Sequence, residues 1–167
     1  MNKTVNDIYS LVMKTPITGY DGMLGVCIDN NAVSSIDFIE SDIKPANSVL
    51  AREVELQLNT YFEDPAFQFS IPLYLKGTDF RERVWSLLKK IPSGKTRCYG
   101  DVAKELHSSA RAIGGACRHN PIPFIIPCHR VIAQTGFGGY SGETDGWKMK
   151  IKCWLLTHES KPGLHCS

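Results

Sequence analysis

The segment Ile126-Pro127-Cys128-His129-Arg130-Val131-Ile132 sets a thiol and an imidazole side by side behind a proline. A thiolate is a soft, strong nucleophile, and a neighbouring imidazole can take the thiol proton directly or through one water. Adjacent side chains diverge, which favours the water route. Pro127 fixes a rigid approach, and Phe124-Ile125-Ile126 reads as a buried, strand-like run leading into it. Cys128 is therefore expected at the end of a stiff element, as a group that must be aimed. Taken alone, Cys128 reads as an inert buried thiol, because free cysteine is among the most buried residue types, and His129 alone reads as a satisfied histidine.

The elements upstream of this segment are helical. Phe80, Val84, Leu87, Leu88 and Ile91 form one stripe, with Asp79 and Glu82 as a capping-box variant and Pro92-Ser93-Gly94 as a stop. Tyr99, Val102, Ala103 and Leu106 repeat the pattern over a short helix. Ser108 or Ser109 can cap the next helix, whose inner face is Ala112, Ile113, Ala116 and Cys117, and Asn120-Pro121 ends it. Two short helices so briefly connected fit a helix-turn-helix, and they fit a helical hairpin packed in a core as well. The second helix carries Arg111 and Arg118 and is rich in small residues, Ala110, Ala112, Gly114, Gly115 and Ala116, which let a backbone approach another surface closely.

The first half reads as α+β. Residues 23–28 and 32–39 are β-rich runs around the turn Asp29-Asn30-Asn31, a hairpin. Leu50, Val54, Leu58 and Tyr61 predict a helix over about 48–63. Phe67, Phe69, Ile71, Leu73 and Leu75 alternate with Gln68, Ser70, Pro72, Tyr74 and Lys76, a strand with an edge proline. The expected domains are 1–75, α+β, and 76–167, helical.

Composition excludes several classes. Hydrophobic residues are 43% and charged residues 22% of the 167, an ordinary globular balance. No apolar run approaches a membrane span, and no apolar leader follows Met1, so a cytoplasmic protein is expected. Net charge is only +2, so nucleic-acid binding would need local concentration of charge. Residues 76–118 supply it, with ten Lys and Arg against Asp79, Glu82, Asp101 and Glu105. The six cysteines form no Cys-x-x-Cys pair, which argues against a zinc site or a disulfide framework; His165-Cys166 is a marginal metal candidate.

Pro127-Cys128-His129-Arg130-Val131 resembles the signature of the O6-alkylguanine-DNA alkyltransferases. Val84-Trp85, Ile91-Pro92-Ser93-Gly94-Lys95-Thr96 and Tyr99 resemble the approach to that family's helix-turn-helix, Arg111-Ala112-Ile113-Gly114 its recognition helix, and Asn120-Pro121 its asparagine hinge. Gly139-Tyr140-Ser141-Gly142 resembles its substrate loop, and Leu155-Leu156-Thr157-His158-Glu159 its closing helix. These motifs run in the family's order over residues 76–160; the first half matches loosely.

The resemblance implies an α+β fold, with a ribonuclease-H-like N-terminal domain of hairpin, strand and helix before a mainly helical domain with a helix-turn-helix. It implies suicide transfer of an alkyl group from O6-alkylguanine, with O4-alkylthymine a further candidate, to Cys128, without metal or cofactor, by a monomer bound in the minor groove of double-stranded DNA with the damaged base flipped out. Cys128 would attack the alkyl carbon, His129 would act through water, Glu159 would orient His129, and Tyr99 would rotate the nucleotide and protonate the leaving guanine. Asn120 would hold the turn between recognition helix and reactive segment. Tyr140, Ser141 and Gly142 would line the pocket, and backbone groups of Cys128 and Val131 would read the guanine amine. Arg111 would fill the vacated stack, with Ala110, Gly114 and Arg118 against DNA.

Two stretches depart from the family. The connection between Tyr99 and Arg111 is short and lacks the usual glycine and proline, which predicts a tighter turn. The loop after Gly142 is longer, with Glu143 where the family has a second glycine, an unfavourable charge beside phosphates. The competing functions are a lesion-binding alkyltransferase-like protein without transfer, which would lack Cys128, a regulator signalling by Cys128 alkylation, and a cysteine hydrolase built on Cys128 and His129.

Overall fold

The computed structural model describes residues 5–160; His165-Cys166 lies outside them. The element order is α1 (Val5–Ile8), β1 (Leu11–Lys14), β2 (Met23–Asp29), β3 (Ala32–Ile39), α2 (Val49–Glu63), α3 (Asp79–Leu88), β4 (Arg97–Cys98), α4 (Tyr99–Glu105), α5 (Ala110–Arg118), a 3-10 turn (Cys128–Arg130), β5 (Val131–Ile132) and α6 (Gly146–Glu159). Two compact units form: one joins residues through Pro16 to Asp21–Lys76, the other joins Ile17–Tyr20 to residues from Gly77 onward. The fold is mixed α+β, as the order of patterns implied. No helix among the described residues is long and apolar enough to cross a membrane.

The first unit is an antiparallel meander, β1-β2-β3, with α2. The β2–β3 hairpin turns at Asn30 and Asn31, both left-handed at φ 51° and 57°, a conformation asparagine tolerates well. The α2 stripe is Ala51, Val54, Leu58 and Tyr61, all fully buried, with Leu50 only half-buried. Strand β1 was not foreseen; four residues are too few to show a period.

The expected strand over 67–75 is corrected: the segment makes one isolated bridge, Val33 with Leu73. Its side chains do alternate between inward and outward. Its ladder fails because Pro72 has no N–H to give and because Ser70 bonds elsewhere. Ser70 N donates to Gln57 Oε1 at 2.9 Å, and Gln57 Nε2 donates to Ser70 Oγ at 3.1 Å. Phe69 packs on Tyr61 with ring centroids 5.4 Å apart. The segment is thereby held to α2 rather than zipped into the sheet.

In the second unit α3 is capped by Thr78, whose hydroxyl accepts from Arg81 N at 3.3 Å, so Asp79 is the first helical residue and not the cap. The helix ends at Leu88, earlier than Pro92 suggested. Tight turns follow, Lys90 N to Leu87 O and Ile91 N to Leu88 O, each 3.0 Å, which carry Ile91 into the core. Ser109 caps α5 by accepting from Ala112 N at 3.2 Å. Helices α4 and α5 are joined by residues 106–109 only, and His107 takes the left-handed position at φ 51° that glycine would fill more easily. Helix α5 is held to α3 by Trp85, buried, whose indole N–H donates to Ala116 O at 2.9 Å.

The run Phe124-Ile125-Ile126 is not strand-like. It is a compact turn with Phe124 at φ 69° and Ile126 N bonded to Ile122 O at 3.0 Å. Rigidity reaches Cys128 through this turn and through the short parallel pairing of β4 with β5, Arg97 with Val131 and Cys98 with Ile132.

Trp85→Phe removes one buried hydrogen bond and opens space between α3 and α5. It is expected to cost about 1–3 kcal/mol, measured by denaturant unfolding; an unchanged midpoint would show that this contact does not hold α5.

Candidate active site

Cys128 opens the 3-10 turn and is buried. Asn120 organises its approach. Its Nδ2 donates to Ile126 O at 2.7 Å and to Cys128 Sγ at 3.2 Å, while its Oδ1 accepts from Ile122 N at 3.0 Å. A single amide thus ties both ends of the 120–128 turn and touches the sulfur. Burial pushes the Cys128 thiol up; the hydrogen bond from Asn120 and the charge of Lys152 act in the opposite sense.

His129 is fully buried, and its Nε2 meets Glu159 Oε1 at 2.9 Å. Glu159 ends α6 and is gripped by Arg130 as well: Arg130 Nε donates to Oε2 at 2.9 Å and NH2 to Oε1 at 2.7 Å, while NH1 donates to Ile91 O at 2.6 Å. Burial raises the Glu159 carboxyl, yet His129 and Arg130 together outweigh it and hold it well below the usual range. Glu159 is therefore a carboxylate and accepts only. The His129 proton lies on Nε2, which leaves Nδ1 with its lone pair; Nδ1 bonds no protein group among the described residues. Burial lowers His129 more than Glu159 raises it, so the ring rests neutral, in the form that can take a proton.

A cavity of about 690 Å³ opens beside the thiol. It is bordered by Cys128, by Tyr99, by Ala110, Arg111, Gly114 and Arg118 of α5, and by Tyr140, Ser141 and Gly142. Asn120, His129 and Glu159 stand behind Cys128 and do not border it. Val131 is fully buried and also away from the cavity wall, and its carbonyl accepts from Lys152. The loop closes as a two-residue hairpin: Tyr140 N to Glu143 O is 2.8 Å and Glu143 N to Tyr140 O is 3.0 Å. Ser141 and Gly142 take the left-handed positions this turn requires, at φ 49° and 83°. Gly142 has a second reason to be glycine, since a Cβ there would lie 2.7 Å from Arg118 Nε. The acidic Glu143 is matched by Lys148 at 2.7 Å, so the lengthened loop carries its own counter-charge.

Sequence reasoning gave no role to Lys152, Arg130 or Cys117. Lys152 is fully buried; its Nζ donates to Val131 O at 2.7 Å and to Gly139 O at 2.9 Å. A signal for it existed: Lys152 shares the helical stripe of Ile151, Leu155 and Glu159, where an apolar residue would be expected. Cys117 borders the same cavity as Cys128, and burial drives its thiol far up. Among the described residues Cys27, Cys98, Cys117 and Cys128 are free thiols.

Residues 79–161 match the family model described as 6-O-methylguanine DNA methyltransferase, DNA binding domain. A methylated-DNA–protein-cysteine methyltransferase of Methanosarcina acetivorans is 34% identical over 162 residues, covering 91% of this chain and 98% of the relative. One from Mycobacterium tuberculosis is 49% identical over 89 residues, 52% of this chain and 54% of the relative, so the chain spans about half the length of the mycobacterial relatives it matches. The fold is similar to the crystal structure of Mycobacterium tuberculosis OGT in complex with DNA, with TM-score 0.71 and 34% identity over 89% of this chain and 90% of that one. With Cys128 and the Tyr140-Ser141-Gly142 loop bordering one cavity and α6 bracing the turn from behind, this chain belongs to the methylated-DNA–protein-cysteine methyltransferase family.

Proposed function

We propose that the protein repairs DNA by direct reversal, moving the methyl or larger alkyl group of O6-alkylguanine onto Cys128 in a single turnover. The observation that carries this reading is a buried thiol bordering a cavity with ample room for a base and backed by the His129–Glu159–Arg130 network. Glu159 fixes the His129 tautomer, so that Nδ1 is free to take the thiol proton through a water. The thiolate attacks the alkyl carbon, a sulfur–carbon bond forms, and the carbon–oxygen bond breaks with its electron pair going to the guanine. Tyr99 supplies the proton the guanine needs; burial raises its hydroxyl, which keeps it protonated. The thioether is neutral and stable, and no group in the site offers a route back to the thiol.

DNA would meet α5, in the minor groove. Helix α5 spends two interior positions on glycine, each costing about 1 kcal/mol against alanine. A Cβ on Gly114 or Gly115 would meet nothing within 4 Å, so the protein's own packing does not demand them. A close external surface does. Arg111 is exposed at the start of α5 and borders the cavity, which supports a role in filling the gap left when the damaged base is flipped out. Cys128 itself disfavours the lesion-binding reading without transfer.

An oligonucleotide bearing O6-methylguanine should add one methylene unit to the Cys128 peptide, and to no other, stopping at one equivalent by mass spectrometry. Continued turnover, or methyl on Cys117, would sink the assignment. Arg111→Ala should slow repair of duplex DNA about tenfold or more while barely changing reaction with the free modified base; equal effects on both would remove Arg111 from the finger role. Gly114→Ala should raise stability by up to about 1 kcal/mol while weakening duplex binding about tenfold. Undiminished affinity would place this face away from DNA.

A further inference from the structure

The stretch Ile17–Tyr20 connects β1 to β2, yet it belongs to the second compact unit together with α6. It is a four-residue turn. Tyr20 N donates to Ile17 O at 3.3 Å, and Gly19 holds the third position at φ 85°, which calls for a left-handed residue. Ile17 is buried, and Gly19 lies against the stem of Lys150, where a Cβ would stand 3.1 Å from Cδ. The turn thereby presents the Tyr20 ring to Trp147, stacked with centroids 5.2 Å apart and an interplanar angle of 22°.

Trp147 is the second residue of α6, and this end of the helix has no side-chain cap, since Asp145 makes no capping hydrogen bond. The helix start therefore offers the lengthened loop before it little local support. From Trp147 the contacts run on toward the cavity. Lys148 Nζ lies 5.6 Å from the Trp147 ring centroid and 2.7 Å from Glu143 Oε1. Glu143 exchanges two backbone hydrogen bonds with Tyr140, and both residues border the cavity together with Ser141 and Gly142. An unbroken series of contacts thus leads from Tyr20 to the loop beside Cys128. A stack or a partly exposed ion pair is weak alone; in series they restrain one loop.

Resting on the alkyl-transfer reading, we propose that the Ile17–Tyr20 turn braces the cavity loop and that Tyr20 is a positioning residue for alkyl transfer. The Tyr20 ring holds Trp147, Trp147 offers its face to Lys148, and Lys148 holds Glu143 at the closing pair of the hairpin. Without the brace the loop spends less time in the arrangement that receives the base, and transfer falls by the fraction lost. The Asn120 contact to Cys128 and the His129–Glu159 pair lie outside this series and stay as they are.

Three readouts on the whole protein test this. In Tyr20→Ala, methyl transfer from an O6-methylguanine oligonucleotide should slow about three- to tenfold, and Tyr20→Phe, which keeps the ring, should restore it. Carboxamidomethylation of Cys128 by iodoacetamide, which needs no seated base, should not slow, and amide hydrogen exchange should quicken over 139–145 while 126–132 stays protected. An unchanged transfer rate, no rescue by phenylalanine, or an equal loss in the iodoacetamide reaction would overturn the proposal. Lys148→Met should slow transfer as well, and combining it with Tyr20→Ala should add little, because both break one series. Fully additive losses would show that the contacts act separately and would overturn the brace. If the wild-type protein accepts no methyl while exchange over 139–145 still quickens in Tyr20→Ala, the failure belongs to the proposed function alone.

Discussion

Glu159 is a carboxylate almost out of contact with water, and the reactive turn depends on how its charge is met. An isolated carboxylate there would be protonated or would unfold the site. Arg130 meets it with two parallel hydrogen bonds of 2.9 and 2.7 Å and spends its remaining reach on the Ile91 carbonyl. The guanidinium geometry suits this bidentate grip, which lysine cannot reproduce. Three segments are joined at one charge: the turn that follows α3, the 3-10 turn and the last residue of α6. With Glu159 fixed as an anion, the His129 tautomer is fixed as well, and the nitrogen left with a lone pair is determined without any further group.

The thiol faces the opposite problem. A buried cysteine resists ionisation, and burial is the largest influence on Cys128. The site answers with the Asn120 amide at 3.2 Å and with the charge of the Lys152 ammonium. Cys117 borders the same cavity without the Asn120 contact, and its thiol is held far from ionising.

Backbone strain is placed where side chains must be aimed. Phe124 and Ser141 adopt left-handed conformations that cost an ordinary residue about 1–2 kcal/mol. The first lets the chain turn back on Asn120, and the second closes the hairpin over the cavity. Glycine is spent differently. At Gly142 it admits the Arg118 side chain; at Gly114 it admits nothing from this protein, and the space is left to whatever docks on α5.

Patterns with local causes were legible in the sequence. The α2, α4 and α5 helices follow from apolar spacing, and the β2–β3 hairpin from two asparagines able to turn left-handed. Cys128, Tyr99, Tyr140 and Arg111, which border one cavity, could be named as candidates together with His129 because the motifs around them are contiguous. The 67–75 segment could not be read correctly, because alternation reports which side faces inward and says nothing of where backbone N–H groups go; Gln57, in another element, decided that. The Phe124-Ile125-Ile126 turn was hidden for the same reason, since its conformation is enforced by Asn120. Lys152 and Arg130 looked like two more charges among nineteen. Only the tertiary structure gives them meaning, because burial converts a charge from a solvated surface group into one that must find its partner, and the partners, Glu159 for Arg130 and the Val131 and Gly139 carbonyls for Lys152, come from distant parts of the chain.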